Sequence, residues 1–282
     1  MNAMGQAMRR LALCGALFAL GLEACEDAPT VGAGAEKFDV ELVSFEALYE
    51  MSLSSSRPSA NIAGYDGLMS FSWSDTCDGW ASSVRTVAQV STKDGGDFIS
   101  VFSSTSWEAA DQTRFRFNST TKIDGEITRQ VAADATRPGL FSEGTVAFEE
   151  PEKRTVPLPA GVLFPGRHTL VAIDSAKRHE RLLTAPIFDG STEHIPYETI
   201  TVIGAARQGP PAGDEALQSL AGLTRWPMQI GYHVPESEEG LPDYEMKMDV
   251  YENGVPADLI MDYGDHALSG KLVKLIVEPA GC

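Results

Sequence analysis

The fold is decided by the stretch Tyr244-Glu245-Met246-Lys247-Met248-Asp249-Val250-Tyr251-Glu252-Asn253-Gly254-Val255. Apolar and charged side chains alternate strictly from Glu245 to Val250, which places Met246 and Met248 on one face. A period of two is typical of a strand that is buried on one face and exposed on the other. Asn253-Gly254 then predicts a tight hairpin turn, because both residues tolerate a positive φ.

Similar segments recur along the chain, and turn residues separate them at intervals of about eight to twelve residues, which predicts a sandwich, a barrel or a curled sheet. Two helices are predicted, at Pro165 to His179, where Pro165 suits the first helical position, and at Asp214 to Leu220. The predicted class is therefore mainly β, a curled antiparallel sheet forming an open, spiral-like β-barrel with one packed helix. The further predicted strands are Leu48–Leu53, Gly67–Trp73, Ser83–Ser91, Phe98–Phe102, Arg114–Phe117, Ile127–Ala132, Lys153–Leu158, Leu182–Phe188, Thr199–Ala205, Pro227–His233, Val255–Tyr263 and Lys271–Glu278.

The N-terminus is typical of an export signal. Arg9 and Arg10 precede the apolar run Leu11–Leu22, which is shorter than the roughly 20 residues that span a bilayer and suits a signal peptide. We expect a signal peptide over residues 1–24, a tail over 25–45 and one domain over 46–282 in the periplasm. No second long apolar segment follows, so no transmembrane span is expected.

Cys25 leaves two alternatives open. The sequence Leu22-Glu23-Ala24-Cys25 resembles a bacterial lipobox, in which the cysteine carries lipid and anchors the protein. Glu23 departs from that pattern, where a small or apolar residue is usual. Cys25 is therefore either the site of a lipid anchor or an unmodified residue near the mature N-terminus.

The remaining cysteines predict one disulfide. Cys14 lies in the predicted signal, which leaves Cys25, Cys77 and Cys282 in the exported chain. In an oxidising periplasm the natural pair is Cys77 with Cys282, because Cys25 sits on a loose terminus or carries lipid. The alternative is that either residue stays a free thiol.

The charge of the chain restricts its partners. The formal net charge is −18 at pH 7, and such a surface repels nucleic acid and anionic lipid headgroups. No nucleic-acid partner is expected. Cationic ligands or basic patches on a partner protein would suit this surface better.

A search for catalytic motifs gives a negative result. The chain has no His-Glu-x-x-His, Gly-x-Ser-x-Gly, phosphate-binding glycine loop or Cys-x-x-Cys motif, and its histidines do not have metal-ligand spacing. No metal, no cofactor and no catalytic residue is therefore predicted. His168 is expected to form hydrogen bonds at a helix terminus, and Glu108 to pair with Arg114 or Arg116 across a hairpin.

An ordered series of short blocks resembles a known family. The blocks are Asp75-Thr76-Cys77-Asp78-Gly79-Trp80, Ser106-Trp107-Glu108, Leu163-Phe164-Pro165 with His168, Phe188-Asp189-Gly190-Ser191, Trp226-Pro227, Tyr244-Glu245, Tyr251-Glu252-Asn253-Gly254-Val255, Asp262-Tyr263-Gly264-Asp265 and the terminal Cys282. From about Leu48 to Cys282 the series resembles the cell-envelope integrity protein EipB family of alphaproteobacteria. The resemblance implies a periplasmic, spiral-like, open β-barrel, a disulfide between Cys77 and Cys282, and a role in keeping the envelope intact without established catalysis.

The combined interpretation is a non-catalytic periplasmic protein that binds an amphipathic envelope component, either a peptidoglycan fragment or a lipid, or a partner protein. One helix cannot cover so many strands, so an apolar groove is expected, with Trp107, Trp226 and Tyr244 as predicted ligand contacts. One alternative is a hydrolase acting on peptidoglycan or lipid, which would need a pocket with paired carboxylates or a histidine beside a hydroxyl. The other is a structural interaction module without a small-molecule site.

Overall fold

One antiparallel sheet dominates the fold. The computed structural model describes residues 38–190, 196–235 and 240–278, and its strands join into a single 15-stranded sheet. The strands are β1 (Phe45–Ser56), β2 (Gly64–Asp75), β3 (Gly79–Ser91), β4 (Asp97–Ala109), β5 (Arg114–Ile123), β6 (Glu126–Thr136), β7 (Gly144–Glu150), β8 (Arg154–Leu158), β9 (Leu182–Ile187), β10 (Tyr197–Ile203), β11 (Arg207–Gln208), β12 (Thr224–His233), β13 (Tyr244–Tyr251), β14 (Pro256–Asp262) and β15 (His266–Val277).

The sheet is open. Its order is β8-β7-β6-β5-β4-β3-β2-β1-β15-β14-β13-β12-β10-β9, with β11 paired to β12 alone. Most neighbouring strands of the sheet are also consecutive in the sequence. The exception that joins the two halves of the chain is the β1–β15 pair, in which Tyr49 lies opposite Leu272. Strands β8 and β9 lie at the two ends of this order. The predicted mainly-β class, with an antiparallel sheet that does not close, is confirmed.

The α-helix α1 spans Pro165–Lys177 and begins at the predicted residue, Pro165. It ends two residues before the predicted end at His179, because His179 has a left-handed φ of 65° that no helix can continue. The second predicted helix is a 3₁₀ helix, Glu215–Leu220. Within residues 38–190, 196–235 and 240–278, no helix combines the length and the apolar content that a membrane crossing requires.

The helix α1 defines the two faces of the sheet. Its buried side chains pack in one cluster with Trp226, Met228 and Val250, and with the partly buried Trp73 and Trp80. We call the face that carries these residues the inner face. Because alternate residues of a strand point to the same side, the position of each strand residue relative to this face follows from the register.

Several strands extend beyond their predicted limits. Strand β4 covers Asp97–Ala109, whereas the prediction stopped at Phe102. The serine and threonine residues that follow Phe102 continue the ladder with β3 and β5. Strand β7 was not predicted. Strand β1 begins at Phe45, the last residue of the predicted tail over 25–45, and Leu42 packs in the core with α1.

Candidate functional site

The inner face between β2 and β6 carries a wall of hydroxyl groups beyond the reach of α1. Cross-strand pairs place Ser82 opposite Ser106 and Ser104 opposite Ser119, and the Ser82 and Ser106 hydroxyls form a hydrogen bond of 2.8 Å. Phe102, on the same face of β4, is 38% exposed. Solvent therefore reaches this part of the inner face.

Four tyrosines form a continuous row on another part of the inner face. Their ring centroids follow one another at 5.9 Å from Tyr197 to Tyr232, 5.4 Å from Tyr232 to Tyr244 and 5.1 Å from Tyr244 to Tyr263. His266 stacks on Tyr263 at 5.0 Å and ends the row. The sheet register produces this arrangement, because Tyr232 and Tyr244 are direct partners on β12 and β13. We call the four tyrosines the tyrosine row.

The tyrosine row is neutral. Burial raises the pKa of Tyr232 and of Tyr244 above the usual value of a phenol, and the negative charge of Asp189 raises both further. The phenols therefore stay protonated at physiological pH and present O–H groups. Tyr263 is 45% exposed, so the row reaches from the buried interior to solvent.

The three predicted ligand contacts lie in different environments. Tyr244 belongs to the tyrosine row. Trp226 is 5% exposed and packs in the α1 cluster, so it cannot contact a ligand without repacking the core. Trp107 lies on the outer face, since its neighbour Glu108 points to α1; its Nε1 donates to the Thr76 hydroxyl at 3.1 Å. Ligand contact by any of the three stays a prediction.

Sequence reasoning missed three members of the tyrosine row. The pair of Tyr263 and His266 could have been inferred, because the tight turn Asp262–Asp265 places the two side by side. The pair of Tyr232 and Tyr244 could not, because a longer connection separates β12 from β13 and leaves their register open.

A buried polar cluster fixes α1 to the sheet. Glu108 accepts hydrogen bonds from the backbone N–H of Gly166 at 2.6 Å and of Arg167 at 2.9 Å. The side-chain N–H of Gln112 donates to the Glu108 carboxylate at 2.5 Å. Arg137 Nε donates to the backbone carbonyl of Gln112 at 2.7 Å. A carboxylate at a helix N-terminus satisfies free N–H groups and complements the helix dipole. The cluster is structural.

The predicted pairing of Glu108 with Arg114 or Arg116 is wrong. Adjacent strand residues point to opposite faces, and both arginines lie on the outer face, where Arg114 Nε donates to Asp134 at 3.0 Å. Burial raises the pKa of Glu108 to about 7, although the hydrogen bonds from Gly166 and Arg167 act in the opposite direction.

A histidine beside a hydroxyl does occur, but not in a form that suits catalysis. His168 Nε2 lies 3.1 Å from the Thr199 hydroxyl, which itself donates to the Ala185 carbonyl at 2.7 Å. The hydroxyl can therefore only accept from His168, so the histidine cannot act as its base. Both residues are buried, and burial lowers the pKa of His168 to about 4. The expected helix-terminus role of His168 is replaced by this bond to β10.

Among the described residues, no group of three or more histidine, cysteine, aspartate or glutamate side chains is placed to hold a metal ion. Two open surface depressions, of about 460 and 480 Å³, lie beside Thr136–Thr145 and beside Pro211–Ala216. Both are shallow, and neither includes a residue of the tyrosine row or of the hydroxyl wall.

Cys77 lies in the turn between β2 and β3 with a φ of 69° and is disulfide-bonded. The predicted partner, Cys282, and the predicted lipid attachment site, Cys25, both fall outside the described residues. The Cys77–Cys282 pairing and the lipid anchor therefore stay predictions, as does the signal peptide over residues 1–24.

Comparison with known families identifies the chain. The family model described as EipB-like matches residues 36–279. The chain belongs to the EipB-like family. The resemblance inferred from the ordered sequence blocks is confirmed, and the match begins ahead of β1, where Phe38 and Leu42 pack on the core.

Two relatives of this EipB-like protein come from Brucella abortus. The cell envelope integrity protein EipB of strain 2308 is 29% identical over 255 residues, which cover 89% of each chain. The crystal structure of a β-barrel-like protein of domain of unknown function DUF1849 has a TM-score of 0.78 at 27% identity, covering 85% of this chain and 100% of that chain. The fold is therefore shared with a solved relative.

Proposed function

We propose that this EipB-like protein maintains the integrity of the cell envelope from the periplasm by binding an amphipathic envelope component or a partner protein, without catalysing a reaction. The observation that carries the proposal is the composition of the inner face, which we infer to form a cleft. One side of the inferred cleft is the neutral tyrosine row, and the other is the serine hydroxyls beside the partly exposed Phe102. The name of the 29% identical relative supports the envelope role.

A cleft of this composition suits binding. Tyrosine rings offer an apolar body and a polar tip, which fits a ligand with both characters. Ligand sites are concave, mostly apolar and carry a few placed polar groups. The hydroxyls of Ser104 and Ser119, on neighbouring strands, can supply such groups. The sheet supports both walls through backbone pairing, so the site is formed before a ligand arrives.

The hydrolase alternative gains no support from the described residues. The Thr199 hydroxyl donates to a carbonyl and is buried, and Glu108 is engaged by the N-terminus of α1. The partly buried His266, the first residue of β15, pairs with the exposed Asp265 at 2.6 Å and stacks on Tyr263. That stacking fits a role in the tyrosine row.

The test is complementation of a strain that lacks this protein. We expect the deletion strain to be sensitive to detergent and to antibiotics that act on the cell wall, and the wild-type chain to restore resistance. Tyr244→Ala and Phe102→Ser should not restore it, because each removes one side of the cleft. Ile99→Ser, on the outer face and 44% exposed, is the matched control and should restore resistance fully.

Export level and thermal stability of each variant must match those of the wild type, which separates loss of the cleft from loss of the fold. Hydrolysis of peptidoglycan and of phospholipid is measured with the same proteins, and no turnover is expected. Full resistance from both cleft variants would contradict a role for the cleft. Turnover that a single histidine or carboxylate substitution abolishes would establish the hydrolase instead.

A further inference from the structure

Five residues of adjacent strands form one row across the outer face. Each is the direct partner of the next in the register of β1 to β5, and in order they are Glu50, Leu68, Val87, Val101 and Lys122. Leu68 is five positions from the inner-face residue Trp73 on the same strand, so the row points outward. We call these five residues the Val87 row. Its centre is apolar, and its two ends carry opposite charges.

The apolar centre of the Val87 row is open to solvent. Leu68 is 49% exposed and Val87 is 40% exposed, and Val101 between Val87 and Lys122 is partly exposed. Apolar side chains that adjoin one another on a surface mark interaction sites, whereas scattered single ones do not. The centre of the row therefore favours contact with another molecule.

The charged ends of the row have no ion-pair partner within the described part of the chain. Neither Glu50 nor Lys122 forms an ion pair there, although Lys271 lies opposite Glu50 on β15. The two ends are four strand spacings apart, which is about 19 Å at the usual spacing of a sheet. They are therefore too far apart to pair with each other.

A second copy of the chain would complete the row. Two outer faces can meet about a two-fold axis that lies in the plane between them, because this rotation turns one face toward the other. An axis along β3, through Val87, exchanges the two ends of the row. Glu50 of one copy then lies over Lys122 of the second copy, Leu68 lies over Val101, and Val87 lies over its own equivalent. The Val87 row is therefore self-complementary in both charge and polarity.

The residues on this axis fit the same contact. The outer-face residues that flank Val87 on β3 are Arg85 and Gln89. Two Gln89 side chains can face each other, because an amide both donates and accepts hydrogen bonds. The Arg85 side chain turns from the axis toward β4, where its Nη1 donates to the Ser103 hydroxyl at 3.2 Å. In the second copy it turns the opposite way, so the two guanidinium groups stay apart.

The surface around the row is electrically balanced. The whole chain carries a formal net charge of −18, which opposes the approach of a second copy. Across β1 to β5, however, the Val87 row and the rows on either side of it carry Arg85 and Lys122 against Glu50 and Asp66. Two positive and two negative charges cancel, so this area permits an approach that the total charge opposes.

The curvature of the sheet keeps such a contact small. Phe117 of β5 packs on Phe188, which follows β9 at the far end of the strand order, with 5.5 Å between the ring centroids. The sheet therefore curls around its inner face, and its outer face is convex. Two convex faces touch along their central strands, and the long side chains of Glu50 and Lys122 can span the wider gap at the sides. An interface below the standard size gives weak, reversible association.

We propose that the protein forms a weak two-fold dimer through its outer face, in which the Val87 rows of two copies pack together and each Glu50 pairs with Lys122 of the other copy. The dimer leaves the inner face free in both copies. The inference is independent of the proposed binding function, because it uses no residue of the tyrosine row or of the hydroxyl wall.

The first test is sedimentation equilibrium of the protein purified from the periplasm, from low micromolar to near-millimolar concentration. We expect a reversible monomer–dimer equilibrium with half of the chains dimeric at about 100 μM. Val87→Asp should leave the protein monomeric over this range, because two carboxylates would meet on the axis. Val202→Asp is the matched control, since Val202 is 51% exposed on the outer face of β10, and it should dimerise as the wild type does.

The second test is an exchange of charges. Glu50→Lys and Lys122→Glu should each weaken the dimer about tenfold, because each places like charges over one another at both ends. An equimolar mixture of the two variants should dimerise about as well as the wild type, because opposite charges meet again at both ends of the mixed dimer. Thermal unfolding should show that every variant keeps the stability of the wild type.

A wild type that stays monomeric over the whole range would overturn the proposal, as would a dimer that Val87→Asp leaves intact. A mixture that dimerises no better than either charge variant alone would overturn the two-fold pairing of Glu50 with Lys122. Binding of monomeric wild type to phosphatidylcholine vesicles, lost in Val87→Asp, would replace the dimer by a membrane contact.

Discussion

Glu108 of β4 accepts the backbone N–H of Gly166 at 2.6 Å, which fixes the first turn of α1 against the sheet. Gly166 permits this approach because a Cβ there would lie 2.9 Å from Trp73, 3.0 Å from Trp80 and 3.1 Å from Glu108. The helix thus covers one end of the inner face, and the cleft that we propose lies in the part that it leaves open.

The first prediction concerns this contact. Glu108→Ala should lower the free energy of unfolding by about 2–3 kcal/mol, because the N–H groups of Gly166 and Arg167 lose their buried acceptor. Urea unfolding followed by tryptophan fluorescence measures the change. Glu149→Ala is the matched control, since Glu149 is exposed and its 3.2 Å ion pair with Lys153 lies at the surface. Equal stability of the two variants would show that Glu108 does not hold the helix.

The second prediction concerns pH. The folded protein raises the pKa of Glu108 from 4.5 to about 7, so the native state binds this proton more tightly than the unfolded state does. The stability that Glu108 contributes is fully present below pH 4.5 and is lost as the pH rises to about 7. His168 acts in the opposite sense: its pKa falls from 6.5 to about 4, so its contribution is present above pH 6.5 and is lost as the pH falls.

The two contributions offset each other in the wild type, and single variants separate them. The stability of Glu108→Gln relative to the wild type should increase from pH 4.5 to 7, by up to about 1.4 kcal/mol per pH unit. The stability of His168→Gln relative to the wild type should increase as the pH falls from 6.5 to 4. Chemical unfolding at a series of pH values measures both. Parallel curves for all three proteins would contradict the titration of both groups.

The third prediction is the disulfide between Cys77 and Cys282. Because the loop between them contains roughly 200 residues, its loss should cost a few kcal/mol and at most about 5 kcal/mol. Thiol titration of denatured, non-reduced protein should find neither cysteine free, and Cys282→Ser should release one thiol at Cys77 and lower stability. Cys25→Ser is the control and should leave stability unchanged. Two free thiols at Cys77 and Cys282 in the wild type would contradict the pairing.

The fourth prediction concerns processing. The intact mass of the exported protein should correspond to a chain that begins at Cys25, because residues 1–24 have the character of a signal peptide. Added acyl mass at Cys25 would establish the lipid anchor, and an unmodified Cys25 would exclude it. Residues 1–24 still attached to protein in the periplasm would contradict the export signal.

Local patterns were sufficient for much of the fold. The alternation around Met246 and Met248 identified β13, Asn253-Gly254 identified the hairpin that follows, and Pro165 identified the start of α1. Each of these signals depends only on residues that are close together in the sequence. The same reasoning shortened β4, because serine and threonine suit both turns and partly exposed strands.

The candidate site could be predicted only in part. The ratio of one helix to many strands predicts an uncovered part of the inner face, and Tyr244 lies in the tyrosine row, whereas Trp226 packs in the α1 cluster and Trp107 lies on the outer face. Which of two adjacent residues faces inward depends on the register, and one residue of shift exchanges the faces. The role of Glu108 depends on a contact across 58 residues of sequence, which no local pattern contains.

The most direct test of the proposed function is native mass spectrometry of the protein purified gently from the periplasm, compared with Tyr244→Ala purified in the same way. We predict that a fraction of the wild type carries a bound molecule with the mass of an amphipathic envelope component, and that the variant carries much less. A wild type free of any such molecule, with a complementing activity that Tyr244→Ala retains in full, would contradict the claim that the protein acts by binding in its cleft.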